Sequence, residues 1–330
     1  MWTLQEEFSR IEIGQSARLR NLTLFPLVRK SIPVQQLDYL LLDDGIAQEK
    51  VRVTELNAGG SVPELRLENS ADLPVLLVDG EELVGAKQNR VLNLTILAPP
   101  KHTTVIPVSC VEAGRWSRAA SDLRTADHVM YSGLRAKSVL HVTQSMRLRG
   151  SHLSNQAEVW GDIAGKAARL HTKSPTGAMS AMYESHANSI EEFIRAFSWT
   201  ERQCGVAFAI SGRLLGLDMF DHPETMRRFF QKLIRSYALD ALDSAPGPSE
   251  AMCPELLIGF LDQIATAQSF SNNALGLGKD VRFNGPRISG AALWAQDRYI
   301  HICAFAAESE KPEHSSFWTR ISQPSRRRMF

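Results

Sequence analysis

Between Leu22 and Trp116 apolar and polar residues alternate with a period near two, and after Trp116 the period lengthens to three or four. That switch limits the fold more than any single motif, because strands and helices repeat at those two periods. Six runs in the first stretch carry β-type residues: LTLFPLV (22–28), VRVTEL (51–56), ELRLEN (64–69), PVLLVD (74–79), RVLNLTIL (90–97) and TTVIPVS (103–109). Turn clusters at Asn57–Ser61 and Pro99–Lys101 separate them at the spacing of a sandwich or barrel. In RVLNLTIL, Leu92, Leu94 and Ile96 alternate with Asn93 and Thr95, as in a half-buried strand. A mainly antiparallel β-sandwich is expected here, interrupted by one helix around Leu37–Glu49.

Beyond Trp116 two helical stripes follow, one from Leu153 through Trp160 and Ala167 to Leu170, the other from Met179 through Ile190 to Phe197. A third helix is announced by Asp221–His222–Pro223–Glu224, with Asp221 as the expected cap and Pro223 in the first turn. A fourth starts near Pro254. Strands return at GVAFAI (205–210) and RLLGLDMF (213–220), around the two-residue turn Ser211–Gly212, and at RFN (282–284), ISGAALWA (288–295) and YIHICAFA (299–306). The fold class is therefore α+β: a β-sandwich-like domain over residues 1–116 and an α+β domain with about four helices and β-hairpins over 117–307. The stretch 308–330 has little apolar periodicity and is expected to be a mobile tail.

Charge excludes some functions. Across 330 residues, 37 basic and 36 acidic side chains leave a formal charge of +1, so no whole-protein field draws the chain to nucleic acid, and no helix-turn-helix or finger signature reads sequence. The longest apolar runs, such as Leu73–Val78, fall far short of the roughly 20 residues of a membrane span. The N-terminal stretch carries Glu6, Glu7 and Glu12 and does not read as a secretory leader, which points to the cytoplasm. Cys110, Cys204, Cys253 and Cys303 are widely spaced and fit reduced structural thiols.

The densest chemistry lies in Asp79–Asn93 (DGEELVGAKQNRVLN), which follows an apolar strand. Gly80, Gly85 and Lys87 invite comparison with a P-loop, but Ala86 separates Gly85 from Lys87, no Ser or Thr follows, and the next residues alternate as a strand. A polar hairpin that keeps an edge from pairing is the plain alternative. Gln88, Asn89, Arg90 and Asn93 argue for more, since amides and a guanidinium make directional hydrogen bonds. In PVSCVEAGRW (107–116), Glu112, Arg115 and Trp116 could form a wall that clamps an anion and stacks on a base. Cys110 lacks a catalytic-cysteine signature, and a buried thiol is the expectation. From Arg115 to Arg149 seven basic residues face Asp122 and Asp127, a local excess suited to a phosphorylated ligand or to a solvated helix face. Asp218, Asp221 and His222 could meet a metal, although capping accounts for Asp221.

The run GEELVGAKQNRVLN, with VPELRLEN (62–69), IPVSCVEAGRW (106–116), SPTGAM (174–179) and GLDMFDHPET (216–225), resembles the bacterial ARPP domain family over about residues 20–306. The resemblance implies an association with ADP-ribosylglycohydrolases and rhodanese-type phosphatases, hence a setting in NAD and ADP-ribose metabolism. Three functions stand open. One is binding of ADP-ribose or a related NAD-derived nucleotide, with Lys87, Arg90 and Arg115 on phosphates, Asn89 and Asn93 on ribose or base edges, Gln88 and Glu112 beside them, and Trp116 stacking. A second is an enzyme on such ligands, with Glu81 or Glu82 moving a proton or stabilising an oxocarbenium-like centre. The third is a structural or protein-interaction component without a small-molecule ligand. The residues name no cofactor and no protein partner.

Overall fold

Every residue of the strands Leu22–Arg29 and Gln203–Ile210 is buried, which is possible only in a sheet covered on both faces. The computed structural model, which describes residues 2–31, 36–57, 59–116, 122–244 and 254–307, places them side by side in a nine-stranded antiparallel sheet. From one edge the order is Ile11–Ile13, Leu22–Arg29, Gln203–Ile210, Arg213–Phe220, Arg298–Ala306, Ile288–Ala295, Lys279–Gly285 and Gln268–Asn273, with Ala17–Leu19 also paired to Leu22–Arg29. Leu24, Val206, Phe208 and Ile210 share one core with Phe229, Leu233 and Tyr237 of the helix Pro223–Asp243. Phe25, Leu27, Ala207 and Ala209 face the other way, toward Leu4 and Phe8 of the helix Leu4–Ser9 and Leu257, Phe260 and Ile264 of the helix Pro254–Thr266.

The second layer is a two-sheet sandwich. Its larger sheet runs Leu123–Val129, Glu81–Gly85, Arg90–Leu92, His102–Cys110, Glu64–Asn69 and Val51–Glu55. Its smaller sheet runs Ile96–Ala98, Val75–Leu77 and Leu40–Leu41, the last pair parallel. Val53, Leu65, Leu67, Val75, Leu77, Leu83, Leu92, Ile96 and Val108 fill the space between. The single strand expected over residues 90–97 is in fact two, one in each sheet, because the chain turns a corner at Asn93–Thr95. Asn93 fixes that corner: it accepts the Ser109 hydroxyl at 2.7 Å and donates to the His152 carbonyl at 3.0 Å. Strands from both sides of residue 116 enter each assembly, since Leu22–Arg29 lies in the large sheet and Leu123–Val129 in the sandwich. The loop at Gly276 docks on the sandwich, where a Cβ would lie 2.1 Å from the Leu97 carbonyl oxygen.

The helical stripes materialise as Gln156–Arg169, Ser180–Ser185, Ala187–Ala196, Pro223–Asp243 and Pro254–Thr266. The helix expected at 37–49 shortens to Leu42–Ala47 behind the strand Leu40–Leu41. Pro223 takes the first helical position, so His222 and not Asp221 is the cap, its side chain accepting the Glu224 amide at 3.0 Å. Asp221 is buried instead, accepting from Tyr39 Oη at 2.6 Å and Arg298 Nε at 2.7 Å. The expected tail 308–330 and Cys253 lie outside the described residues.

Candidate functional site

Glu81–Gly85 and Arg90–Leu92 are the arms of a hairpin, Glu82 opposite Val91 and Leu83 opposite Arg90. Ala86 turns the chain with a φ of 43°. The run continues as a strand and opens no helix, so the phosphate cradle of a P-loop does not form.

Arg115 braces this turn. Its Nε donates to Glu112 Oε2 at 2.8 Å, Nη1 to the Ala86 carbonyl at 2.9 Å and Nη2 to Asn89 Oδ1 at 3.0 Å. Glu112 also accepts the Asn89 amide at 3.1 Å and the Thr176 hydroxyl at 2.8 Å. Burial penalises the Glu112 charge, but these donors, Arg115 foremost, hold its carboxyl below the usual range. The two sequence runs thus meet, with the 174–179 loop closing over them through Thr176 and the Gly114–Thr176 backbone bond. Most of the donors on Arg115 are spent on the turn itself.

On the far side of the hairpin Arg90 is fully buried. Its Nη1 donates to Gln88 Oε1 at 3.2 Å, yet Nε and Nη2 have no hydrogen-bond partner among the described residues, and neither has Glu55 Oε2. Glu55 Oε1 stands 4.0 Å from Nη2, beyond hydrogen-bond reach. Burial pulls the guanidinium below its ordinary value. Trp116, half exposed, has its ring 5.7 Å from the Arg90 guanidinium carbon and 5.2 Å from Lys87 Nζ. Cys110 pairs across the sheet with Arg90, and burial pushes its thiol up, away from a nucleophilic thiolate.

The two carboxylates leave the strand on opposite faces, as the pleat requires. Glu81 accepts the Val78 amide at 2.8 Å and pairs with Lys232 Nζ at 3.1 Å, while burial pushes its carboxyl up. Glu82 is fully buried, takes Asn89 Nδ2 at 3.1 Å and faces His128 Nε2 at 2.7 Å. His128 Nδ1 reaches Asp127 at 3.2 Å, and its ring stacks on Tyr183 with centroids 3.8 Å apart. Burial opposes charge on His128, but the hydrogen bonds to Asp127 and Glu82 prevail and hold the imidazole above its ordinary value. A continuous chain, Arg115–Asn89–Glu82–His128–Asp127, therefore runs from the hairpin turn to the exposed Asp127 carboxylate.

Beneath the hairpin lies a cluster that sequence reasoning missed. Arg135, fully buried on the helix Ser132–Arg149, donates to Asp79 Oδ2 at 3.1 Å and to Asp218 at 2.7 and 3.1 Å. His301 Nε2 meets Asp218 at 3.2 Å, and its Nδ1 meets the Thr95 hydroxyl at 2.8 Å. Burial opposes charge on Asp218, but Arg135 overcomes it and brings the carboxyl down to about 2. Gly80, at φ +81°, lets the chain pass over this guanidinium: a Cβ there would lie 2.8 Å from Arg135. Asp218 and Asp221 thus hold arginines, and among the described residues no group of three or more His, Cys, Asp or Glu side chains is arranged for a metal. No described helix is long and apolar enough to cross a membrane.

Comparison with curated proteins and with solved structures gives no match. The family comparison does: residues 10–305, which contain the hairpin, its brace and the buried arginine cluster, match the ARG and Rhodanese-Phosphatase-superfamily-associated Protein domain (ARPP-1), and the chain belongs to that family.

Proposed function

We propose that the tip of the hairpin binds ADP-ribose or a related NAD-derived nucleotide, with phosphate oxygens on Arg90 and Lys87 and the base on Trp116. The observation that carries this is Arg90, a buried cation whose Nε and Nη2 have no acceptor among the described residues beside a half-exposed indole. An unsatisfied buried donor costs about 1–3 kcal/mol, more for a charged group, and a phosphate oxygen removes that cost. The Trp116 ring covers the guanidinium, so the ligand enters by displacing it. Asn89, Glu112 and Arg115 set the turn, Gln88 orients Arg90, and Asn93 holds the corner behind. The association carried in the family's description supports an ADP-ribose setting. Thermal shift against ADP-ribose, NAD, AMP and ribose phosphate tests it: a ligand at 100 times its Kd stabilises by about 2.7 kcal/mol. Lys87→Ala and Trp116→Ala are expected to reduce that shift, and no shift with any of the four ligands contradicts the proposal.

A second possibility, catalysis on the same ligand class, is favoured by one observation: Glu82 joins the tip through Asn89 and carries His128 and Asp127 behind it. Such a chain can hold or move a proton, whereas Glu81 is tied to Lys232. Glu82→Gln would then abolish release of ADP-ribose from an ADP-ribosylated substrate while nucleotide binding persists; equal turnover in the variant contradicts a catalytic Glu82.

A further inference from the structure

A separate cavity of about 210 Å³ opens where the N-terminal helix, the strand Leu22–Arg29 and the start of the helix Pro223–Asp243 meet. None of the hairpin residues lines it. Its wall contains two carboxylates, and both are already engaged. Glu7, nearly inaccessible, accepts from Arg29 Nη2 at 2.8 Å and Trp2 Nε1 at 2.9 Å. Asp221 accepts from Tyr39 and from Arg298, which also pairs with Asp38.

What remains in the cavity is mostly donor capacity, with Ser31 and Gln36 on the wall able both to donate and to accept. Arg29, on the cavity wall, is nine-tenths buried; its Nη2 serves Glu7 and, at 3.4 Å, the Phe220 carbonyl, while its Nε has no hydrogen-bond partner among the described residues. His222 accepts the Glu224 amide on Nδ1, so in the neutral ring Nε2 carries the proton and is a donor. Arg10 has its guanidinium carbon 4.3 Å from the centroid of the Trp2 ring, and it lines the cavity. The helix that begins at Pro223 adds its positive dipole end. Two guanidinium groups and an imidazole, with a hydroxyl and an amide that can also donate, favour an acceptor-rich anion.

We propose that this cavity is a second ligand site, taking a small oxyanion on Arg29, Arg10 and His222. Its volume is below the roughly 300–1,000 Å³ of pockets that enclose drug-sized ligands, so a phosphate or a small carboxylate fits and a dinucleotide does not. Arg29 makes the buried contact, and Arg10, held by Trp2, closes the mouth.

The test uses the full chain with inorganic phosphate, glycerol phosphate and succinate at matched ionic strength. Each is titrated by thermal shift, and phosphate binding is read directly from ³¹P line broadening. At least one of the three should stabilise the wild type saturably, phosphate against succinate telling a phosphoryl from a carboxylate site. Arg10→Ala should weaken the effect about tenfold or more, as loss of a charge-assisted hydrogen bond does, and Arg29→Gln should abolish it. Should Arg29→Gln fail to fold because Glu7 is stranded, Arg10→Ala still decides. Lys87→Ala, at the hairpin tip, should leave the effect intact. Equal stabilisation of wild type and Arg10→Ala would be general salt exclusion and would overturn the proposal, as would loss of the effect in Lys87→Ala or no saturable effect of any anion.

Discussion

Two arginines in this protein are equally hidden from solvent, and their surroundings could hardly differ more. Arg135 holds two aspartates through four hydrogen bonds and lies against the Phe305 ring at 5.2 Å. Arg90 has one neutral acceptor, Gln88, and two nitrogens without any among the described residues. Both sit under the same hairpin motif, Arg135 against Asp79 and Gly80 at its base, Arg90 on its second arm. A buried charge that is fully matched joins elements together; one left partly unmatched is poised for a ligand. The Arg135 cluster draws on the hairpin, the helix Ser132–Arg149 and two strands of the large sheet, so it pins the sandwich to that sheet. Among the described residues, the Arg90 surroundings come from the sandwich, with Trp116 at its edge.

The largest effect that sharpens this contrast is expected from Arg135→Met. It strands Asp79 and Asp218 in the interior, and breaking a buried pair from one side costs about 3–5 kcal/mol. Urea unfolding measures it; a loss below about 1 kcal/mol would mean that the cluster is not a junction.

Acid probes the same cluster without mutation. Asp218 has a depressed carboxyl pKa, about 2, so its contribution is present above the ordinary carboxylate range and is lost as pH falls from about 4 toward 2. The size is roughly 2 kcal/mol, and Asp218→Asn should flatten that part of the stability profile. His128 acts with the opposite sign. Its pKa is raised, so its stabilisation is complete below about pH 6.5 and is lost as pH rises through the higher folded value. His128→Gln should remove the decline on the alkaline side; an unchanged slope would show that Glu82 and Asp127 do not hold the imidazolium.

A smaller effect belongs to the indole at the tip. Trp116→Ala is expected to weaken nucleotide binding by about 1–2 kcal/mol while changing unfolding little, since the ring is half exposed. Isothermal titration and a urea curve on the same variant separate the two; lost stability with unchanged affinity would make Trp116 a packing residue.

What the sequence revealed and what it concealed divide along the same line. The strands flanking Ser211–Gly212 and the helix after Pro223 are legible because apolar periodicity and turn chemistry agree. The helix Ser132–Arg149 is not, because its buried face carries Ser132, Arg135, Ser138 and Thr143 beside its apolar residues, so no clean stripe emerges. The strand Leu123–Val129 hides similarly, its Arg–Thr–Asp–His composition reading as solvated surface; at Glu81–Gly85 a polar hairpin is legible, but the burial of both glutamates is not until their partners are known. Those partners, Lys232 for Glu81, His128 for Glu82 and Asp218 for Arg135, stand 151, 46 and 83 residues away. No local pattern encodes them. Arg90 and Lys87 are visible as residue types able to grip an anion and Trp116 as one able to stack on a base, but the sharing of Arg115 among the turn carbonyls, Asn89 and Glu112 depends on a fold that spacing alone does not specify.

The most direct measurement sets Arg90→Met beside Arg135→Met in one experiment, following urea unfolding without ligand and ADP-ribose affinity by titration. Arg90→Met is expected to cost clearly less stability than Arg135→Met, because it gives up one hydrogen bond to Gln88 and a 4.0 Å ion pair with Glu55 where Arg135→Met gives up four hydrogen bonds to two aspartates, and to weaken ADP-ribose by about 1.5–3 kcal/mol. Loss of stability as large as that of Arg135→Met, with no ADP-ribose binding by the wild type, would contradict the account and make Arg90 a brace of the hairpin.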